Sequence, residues 1–345
     1  MSEQITPAEN SYLIGQDEAV KLFLSAYNSG SLHHGWLITG DEGIGKATFA
    51  YKIARFLLSA EAGKTYNSLD IDINSPIFAQ VAQRSHPDFK VLERDYTETD
   101  KKKLIKAINQ GEAVDEEMKQ GLKRSAVIKV EDVRDTVSFL LKKSFNDNWR
   151  VVIVDSTDDL NTSSANALLK ILEEPPAKSI LLLISHNPGK LLPTIRSRCA
   201  KLALKPLKNE EVASLLRRYQ PDLSEKQVQT LAKIAGGSIG RAIKYAENNA
   251  IEMYEDIQKI CYGGQKCDGN LMIELSNEVA ADEDCWDLFK ELVCRFVREN
   301  LPDYPRPKEL YEAYEGALKI FDETIRLNMD KKQAALQILN ILGNS

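Results

Sequence analysis

The segment Gly40-Asp41-Glu42-Gly43-Ile44-Gly45-Lys46-Ala47-Thr48 constrains this chain more than any other. It directly follows an apolar run, Trp36–Thr39, and opens a helical pattern from Lys46 to Leu58. In that helix Phe49, Ile53, Phe56 and Leu57 recur at i, i+4, i+7 and i+8, one apolar stripe. Strand, glycine-rich loop and helix in this order match a P-loop up to and including the lysine. The glycines let backbone N–H groups close around phosphate, and the helix N-terminus favours negative charge. The next position departs from the pattern. A working loop has Ser or Thr after the lysine to ligate Mg²⁺. Ala47 has no oxygen, and Thr48 is rotated by ~100° around the helix. Asp41 and Glu42 would repel phosphates in a loop meant to approach them. Two readings stand: Gly40, Gly43, Gly45, Lys46, Ala47 and Thr48 are a surviving scaffold, or they bind nucleotide weakly.

The rest of the first ~205 residues alternates short β-rich runs with helical patterns. The expected strands are Trp36–Thr39, Phe89–Leu92, Val151–Val154, Ile180–Ser185 and Leu202–Leu204. Val151–Val154 and Ile180–Ile184 are continuously apolar, as strands covered on both faces must be. A helix from Thr162 to Glu174, capped at Asn161 or Thr162, stops at Pro175-Pro176. The alternation predicts a parallel five-stranded α/β sheet. Val151-Val152-Ile153-Val154-Asp155-Ser156 is a hydrophobic strand ending in an acid, the Walker-B pattern. Asp155 is either a partner of Mg²⁺ or a solvated strand-end acid. ATPases of this kind usually follow it with Glu to polarise water, and Ser156 cannot be that base at neutral pH. Asp158 and Asp159 lie at the wrong spacing to replace it.

Past Lys205-Pro206 the strands cease. Asn209 opens one helix, Ser224 and Gln227 form a capping-box pair before a second, and Gly236-Gly237-Ser238 starts a third that ends near Asn249. The pattern stays helical beyond, with a break at Pro302, Pro305 and Pro307. The helix after it is expected to place Leu310, Tyr311, Tyr314, Leu318, Phe321 and Ile325 on one face. The expected domains are an α/β domain (1–205), a small helical lid (206–249) and a C-terminal all-α domain (250–345). Arg94 to Lys123 reads as a charged surface hairpin or mobile insertion.

The charge balance, 45 Lys+Arg against 51 Asp+Glu and a net −6, excludes a protein whose whole surface neutralises nucleic-acid phosphates. Arg134, Lys142 and Lys143 are read as a solvated face, with contact to a DNA backbone as the alternative. The start of the chain lacks a secretory signal pattern, and the longest apolar run falls far short of the ~20 residues that span a bilayer. Cys199, Cys261, Cys267, Cys285 and Cys294 have no CxxC spacing, so neither a disulfide scaffold nor a metal site is expected. His33, His34, His86 and His186 are dispersed and form no catalytic set.

Ile195-Arg196-Ser197-Arg198-Cys199 closes the pattern, a short distance after Asn166-Ala167-Leu168-Leu169-Lys170-Ile171-Leu172-Glu173-Glu174-Pro175-Pro176. Together these segments resemble the clamp-loader branch of the AAA+ ATPases. Supporting pieces are Leu13-Ile14-Gly15-Gln16, His33-His34-Gly35-Trp36, Ser85-His86-Pro87-Asp88-Phe89 and Gly236-Gly237-Ser238-Ile239-Gly240-Arg241. The resemblance spans residues ~10 to 250, and the C-terminal ~95 residues share only helical character.

The resemblance implies a P-loop AAA+ domain, a helical lid and a C-terminal collar. It implies that Arg198 is an arginine finger presented to ATP held by a neighbouring subunit, for which a permanently charged, many-donor guanidinium is suited. The alternative is that Arg198 pairs with a carboxylate of its own domain. Ser185 falls at the sensor-1 position, where family ATPases usually carry Thr or Asn. Arg241 matches the sensor-2 arginine, which either senses a γ-phosphate or holds the lid to the core. The family often carries a four-cysteine zinc module after the P-loop helix. Ser59 to Ser85 holds no cysteine, so no zinc is expected, and ATP and Mg²⁺ are expected only in neighbouring subunits. The implied partners are gamma/tau-like motor subunits and a delta-like subunit in a heteropentamer, and through it a sliding clamp and primer–template DNA, with no membrane. The implied setting is cytoplasmic, at the replisome. The expected role is an ATPase-deficient stator. The runner-up is the tau/gamma-like motor, an active DNA-stimulated ATPase. A stand-alone P-loop enzyme would leave Arg198 and the C-terminal helices without a task.

Overall fold

A computed structural model describes residues 6–109, 122–144, 148–263 and 269–345. They divide into two compact units, residues 1–208 and 209–345.

In the first unit the chain runs α1 (Asp17–Asn28), β1 (Gly35–Thr39), α2 (Lys46–Ser59), α3 (Pro76–Ala82), β2 (Phe89–Glu93) and α4 (Glu98–Asn109). It continues through α5 (Val130–Leu141), β3 (Arg150–Asp155), α6 (Thr162–Glu173), β4 (Ser179–Ser185), α7 (Pro193–Ser197) and β5 (Ala200–Ala203). The five strands form one parallel sheet in the order β2-β3-β4-β1-β5. Successive side chains of each strand enter opposite faces. Trp36, Ile38, Val151, Ile153, Ile180, Leu182 and Ile184 join Phe49, Ile53, Phe56 and Leu57 of α2 in one core. Leu37, Val152, Val154, Leu181 and Leu183 join Val133 of α5 and Leu168, Ile171 and Leu172 of α6 in the other. Both faces are thus covered, which is why β3 and β4 read as unbroken apolar runs. The last strand, Ala200–Ala203, starts two residues and ends one residue earlier than expected, because its pairing with β1 runs from Trp36↔Ala200 to Thr39↔Ala203.

Two motifs prove to be scaffold. Asp88 of the Ser-His-Pro-Asp segment lies 3.1 Å from Arg150 Nε in a buried ion pair. The Arg150 guanidinium also donates to the carbonyls of Phe139, Lys142 and Lys143, closing the end of α5. The side chains of Arg134, Lys142 and Lys143 are exposed. Gln16 bonds the Lys205 backbone in both directions, at 2.9 and 3.2 Å, and so pins the start of α1 beside the end of β5. Of the charged stretch 94–123, residues 98–109 form α4, while 110–121 lie outside the described residues, as does Cys267.

The second unit is helical: α8 (Asn209–Tyr219), α9 (Glu225–Ile234), α10 (Ile239–Glu247), α11 (Ala250–Gly263), α12 (Gly269–Val279), α13 (Glu283–Asn300), α14 (Pro307–Leu327) and α15 (Lys331–Gly343). Ser224 and Gln227 make the expected capping box, and Ser238 caps α10. Trp286, Phe289 and Phe321 stack at ring separations of 5.3 to 6.4 Å in its core. The expected face of α14 needs correction. Leu310, Ala313, Ala317, Phe321 and Thr324 are buried, whereas Tyr311, Leu318 and Ile325 are exposed. The exposed three repeat every seventh residue one step, about 100°, around the helix from the buried stripe.

Candidate functional site

The sheet's C-terminal edge gathers the loops after β1, β3 and β4, the place where open parallel sheets usually hold ligands. The first loop is Gly40 to Gly45. Gly40 has φ 143°, and a Cβ there would lie 2.5 Å from Ile44 Cδ1 and 2.8 Å from the Leu204 carbonyl, so only glycine fits. Lys46 opens α2, but its ammonium is turned back onto its own loop. Nζ donates to the Gly40 carbonyl at 2.7 Å and to the Asp41 carbonyl. The side chain is buried, and burial pushes its pKa down to about 8, opposed by the charges of Glu42, Asp155, Asp41 and Asp158. Ala47 packs against the core and Thr48 is buried. The expected loop is therefore built, yet its lysine occupies loop carbonyls and position 47 offers no oxygen to a metal.

The β3 and β4 loops are tied together by a residue that spacing alone passed over. Asp158 accepts hydrogen bonds from the Ser185 hydroxyl (3.0 Å) and from the backbone N–H groups of His186 (2.6 Å) and Asn187 (3.1 Å). Ser156 Oγ also lies 3.2 Å away. Burial raises the Asp158 carboxyl, but these donors outweigh it and hold the pKa below the usual range. Ser185, expected as a sensor, is buried and spends its hydroxyl on this aspartate. Asp155 stands beside Glu93 of β2 in register. Burial and the Glu93 charge raise its carboxyl above the usual range, partly offset by His186, Lys46 and Arg84. Among the described residues no group of three His, Cys, Asp or Glu is placed to hold a metal ion. Position 47 offers no hydroxyl to a metal, and position 156 offers no carboxylate to polarise water.

Arg198 sits at the other edge. It caps α7, two residues before β5, whose first pair with β1 is Trp36↔Ala200. A Cβ on Gly35, the first residue of β1, would lie 3.5 Å from the Arg198 carbonyl, 2.9 Å from Leu172 Cδ2 and 3.3 Å from Cys199 Sγ. The glycine of His33-His34-Gly35-Trp36 thus lets α6 and the Ser197-Arg198-Cys199 segment close over the strand. Burial pushes the Cys199 thiol up to about 12, so it is an unreactive packing group. Because β1 and β5 are parallel, Arg198 and the P-loop lie at opposite ends of β1. At ~3.3 Å per residue that strand separates them by roughly 13 Å. The guanidinium is half-exposed and lies 2.9 Å from Glu173 Oε1. The pairing within its own domain, held open as the alternative, is thus present.

Residues 15–208 match the family described as DNA polymerase III, delta subunit. The chain belongs to that family. Its curated relatives include the delta-prime subunit of DNA polymerase III of Pseudomonas aeruginosa, 34% identical over 210 residues, covering 59% of this chain and 53% of that protein. The gamma subunit of Buchnera aphidicola subsp. Schizaphis graminum is 27% identical over 240 residues, covering 68% of this chain and 57% of that protein. The tau subunit of Escherichia coli K12 is 28% identical over 242 residues, covering 68% of this chain and 32% of that protein. The chain spans a little over half the length of the first two relatives and about a third of the last. With the parallel sheet and the motifs at its two edges, these relatives establish the clamp-loader AAA+ family that the sequence resembles.

Arg241 of this DNA polymerase III delta-family chain belongs to the second unit. It lies in the helical unit, where it forms an ion pair with Glu291 of α13 and donates to the Ala235 carbonyl at 2.9 Å. Within the helical unit it links α10 to α13. Glu291 is fifty residues away in sequence, and no local spacing announces it.

Proposed function

We propose that this chain is a delta-prime-like subunit of the DNA polymerase III clamp loader. In this reading it is a non-hydrolysing stator whose Arg198 reaches ATP bound by a neighbouring gamma/tau-like subunit. The observation that carries the reading is the placement of Arg198 at the far end of β1 from its own P-loop. A guanidinium held there by Thr194 and Glu173 cannot serve its own loop, while its half-exposed position suits a ligand brought by another chain. Its charge and several N–H donors match what builds up on transferring phosphate oxygens. Supporting the absence of hydrolysis are Ala47, which gives a metal no oxygen, and Ser156, which cannot polarise water as a carboxylate would. ATP and Mg²⁺ would then reside in the neighbours, and zinc has no role. The partners follow from the same reading: gamma/tau-like motors and a delta-like subunit in a heteropentamer that opens a sliding clamp and places it on primed DNA. No described helix is long and apolar enough to cross a membrane, and a replication role puts the chain in the cytoplasm.

The tau/gamma-like motor is the second reading, favoured by the gamma and tau relatives. It requires micromolar binding of ATP·Mg²⁺ and turnover by the chain itself. Calorimetric titration and an ATPase assay of the purified chain separate the two. Absent turnover alone, with turnover in the mixture with gamma/tau-like and delta-like subunits, supports the stator; brisk turnover by the lone chain removes it.

A further inference from the structure

Arg198 is held at two points. Its Nη2 lies 2.9 Å from Glu173 Oε1, and its Nη1 donates to the Thr194 carbonyl at 3.1 Å. Both mounts are firm. Glu173 ends α6, and the turn beneath it is fixed by His34 Nε2, 2.9 Å from the Leu172 carbonyl, and by Leu172 buried against Gly35. Thr194 belongs to α7, anchored by Ile195 in the core. The two acceptors therefore come from rigid elements, while the guanidinium between them stays 37% exposed.

We propose that Glu173 is a positioning residue for Arg198, holding the guanidinium extended before a neighbour's triphosphate arrives. This rests on the reading of Arg198 as a finger acting in trans. A guanidinium carries five N–H donors; Nη1 bonds the Thr194 carbonyl and Nη2 faces Glu173, while the group stays 37% exposed and open to phosphate oxygens. A free arginine side chain would have to surrender its rotamer freedom as the transition state forms. One already fixed by Glu173 and Thr194 does so before the reaction begins. The contact between Glu173 and the guanidinium runs from Oε1 to Nη2, and the guanidinium is still 37% exposed. A half-exposed pair of this kind adds little to fold stability. Its value under this proposal lies in geometry.

The test is steady-state ATP turnover of the assembled complex, containing this chain with its gamma/tau-like and delta-like partners, clamp and primed DNA. Glu173→Ala is expected to lower kcat about 3- to 10-fold with KM for ATP unchanged and complex assembly intact by gel filtration. Glu173→Gln, which keeps an oxygen at the same reach, is expected to recover most of the rate. Adding Glu173→Ala to Arg198→Ala is expected to change nothing further. If Arg198→Ala slows turnover but Glu173→Ala runs at or above the unsubstituted rate, the positioning role is overturned while the finger stands. A further loss on top of Arg198→Ala overturns it as well, because Glu173 would then act independently. If Arg198→Ala itself turns over normally, the trans reading fails and this proposal fails with it.

Discussion

At the C-terminal edge of the sheet, charged groups are consumed by their own chain. Lys46 is turned onto Gly40 and Asp41, and Asp158 is surrounded by the donors of Ser185, His186 and Asn187. At the opposite edge Arg198 is held by Glu173 and Thr194 yet remains half-exposed. The two ends of β1 thus differ in what they can offer a ligand, although both are built from motifs of one family. Under the proposed function the scaffold of a nucleotide site has outlasted its chemistry, because glycines and apolar stripes are also demanded by the core. The segment that carries Arg198 is held in place by packing around Gly35 and does not depend on whether the P-loop works. The strongest test of this contrast removes the half-exposed cation. Arg198→Ala is expected to slow hydrolysis at the neighbouring site it serves by about 10³-fold or more, leaving subunit association intact. Turnover in the reconstituted complex, normalised to motor subunits, measures it, and an unchanged rate would erase the distinction between the two edges.

The next largest effect lies at the sealed edge. Asp158→Ala strips the acceptor from two backbone N–H groups and the buried Ser185 hydroxyl, so a loss of about 3 kcal/mol is expected in urea unfolding. The pH dependence has a defined sign. Asp158 has a folded-state pKa below its ordinary value, so its stabilisation is complete above the normal carboxylate range and is lost as pH falls through the lowered value. The gap between wild type and Asp158→Ala should therefore shrink on acidification. A gap that widened in acid would show that Asp158 is not held ionised by these donors.

The sequence exposes much of this arrangement and hides the rest for physical reasons. The P-loop, the Walker-B strand and the strand run were legible because each is a contiguous segment whose period or glycine spacing is set by its own backbone. The pairs that set side-chain direction were not legible. Arg198 with Glu173, Asp158 with Ser185 and Arg241 with Glu291 are separated by 25, 27 and 50 residues, and only the packed fold brings them together. The adjacent acids Asp158 and Asp159 were a visible signal, yet their spacing was compared only with a catalytic template. In α14 the size of the side chains misled. Large apolar residues drew attention to Tyr311, Leu318 and Ile325, while Ala313 and Ala317 face inward, where α15 also presents small residues, Ala334 and Ala335.

Gly35 tests whether the finger's mount depends on close packing. Gly35→Ala puts a methyl 2.9 Å from Leu172 Cδ2 and 3.3 Å from Cys199 Sγ. Neither neighbour can withdraw freely, since both are buried. A destabilisation of about 2 kcal/mol is expected in denaturant unfolding, with a drop in the assembled complex's turnover because Arg198 shifts with its segment. Wild-type stability together with wild-type turnover would mean that the mount tolerates movement and that the firmness argued for this edge is overstated.

The smallest effect concerns Lys46. Burial brings its pKa from 10.5 to about 8. Between those values the unfolded chain binds more protons than the folded one, so stability rises with pH across that window and its dependence is weak below about pH 8. Lys46→Met removes the titration while keeping a long side chain in the loop. From pH 7.5 to 9 the wild type should gain about 1 kcal/mol relative to Lys46→Met, read from paired urea titrations. The same substitution should leave the complex's ATP turnover unchanged, since in the proposed function this loop hydrolyses nothing. A flat pH difference would mean that the ammonium is solvated and the loop open. A loss of turnover would mean that this loop does chemistry of its own, and the contrast between the two edges would fail from the other side.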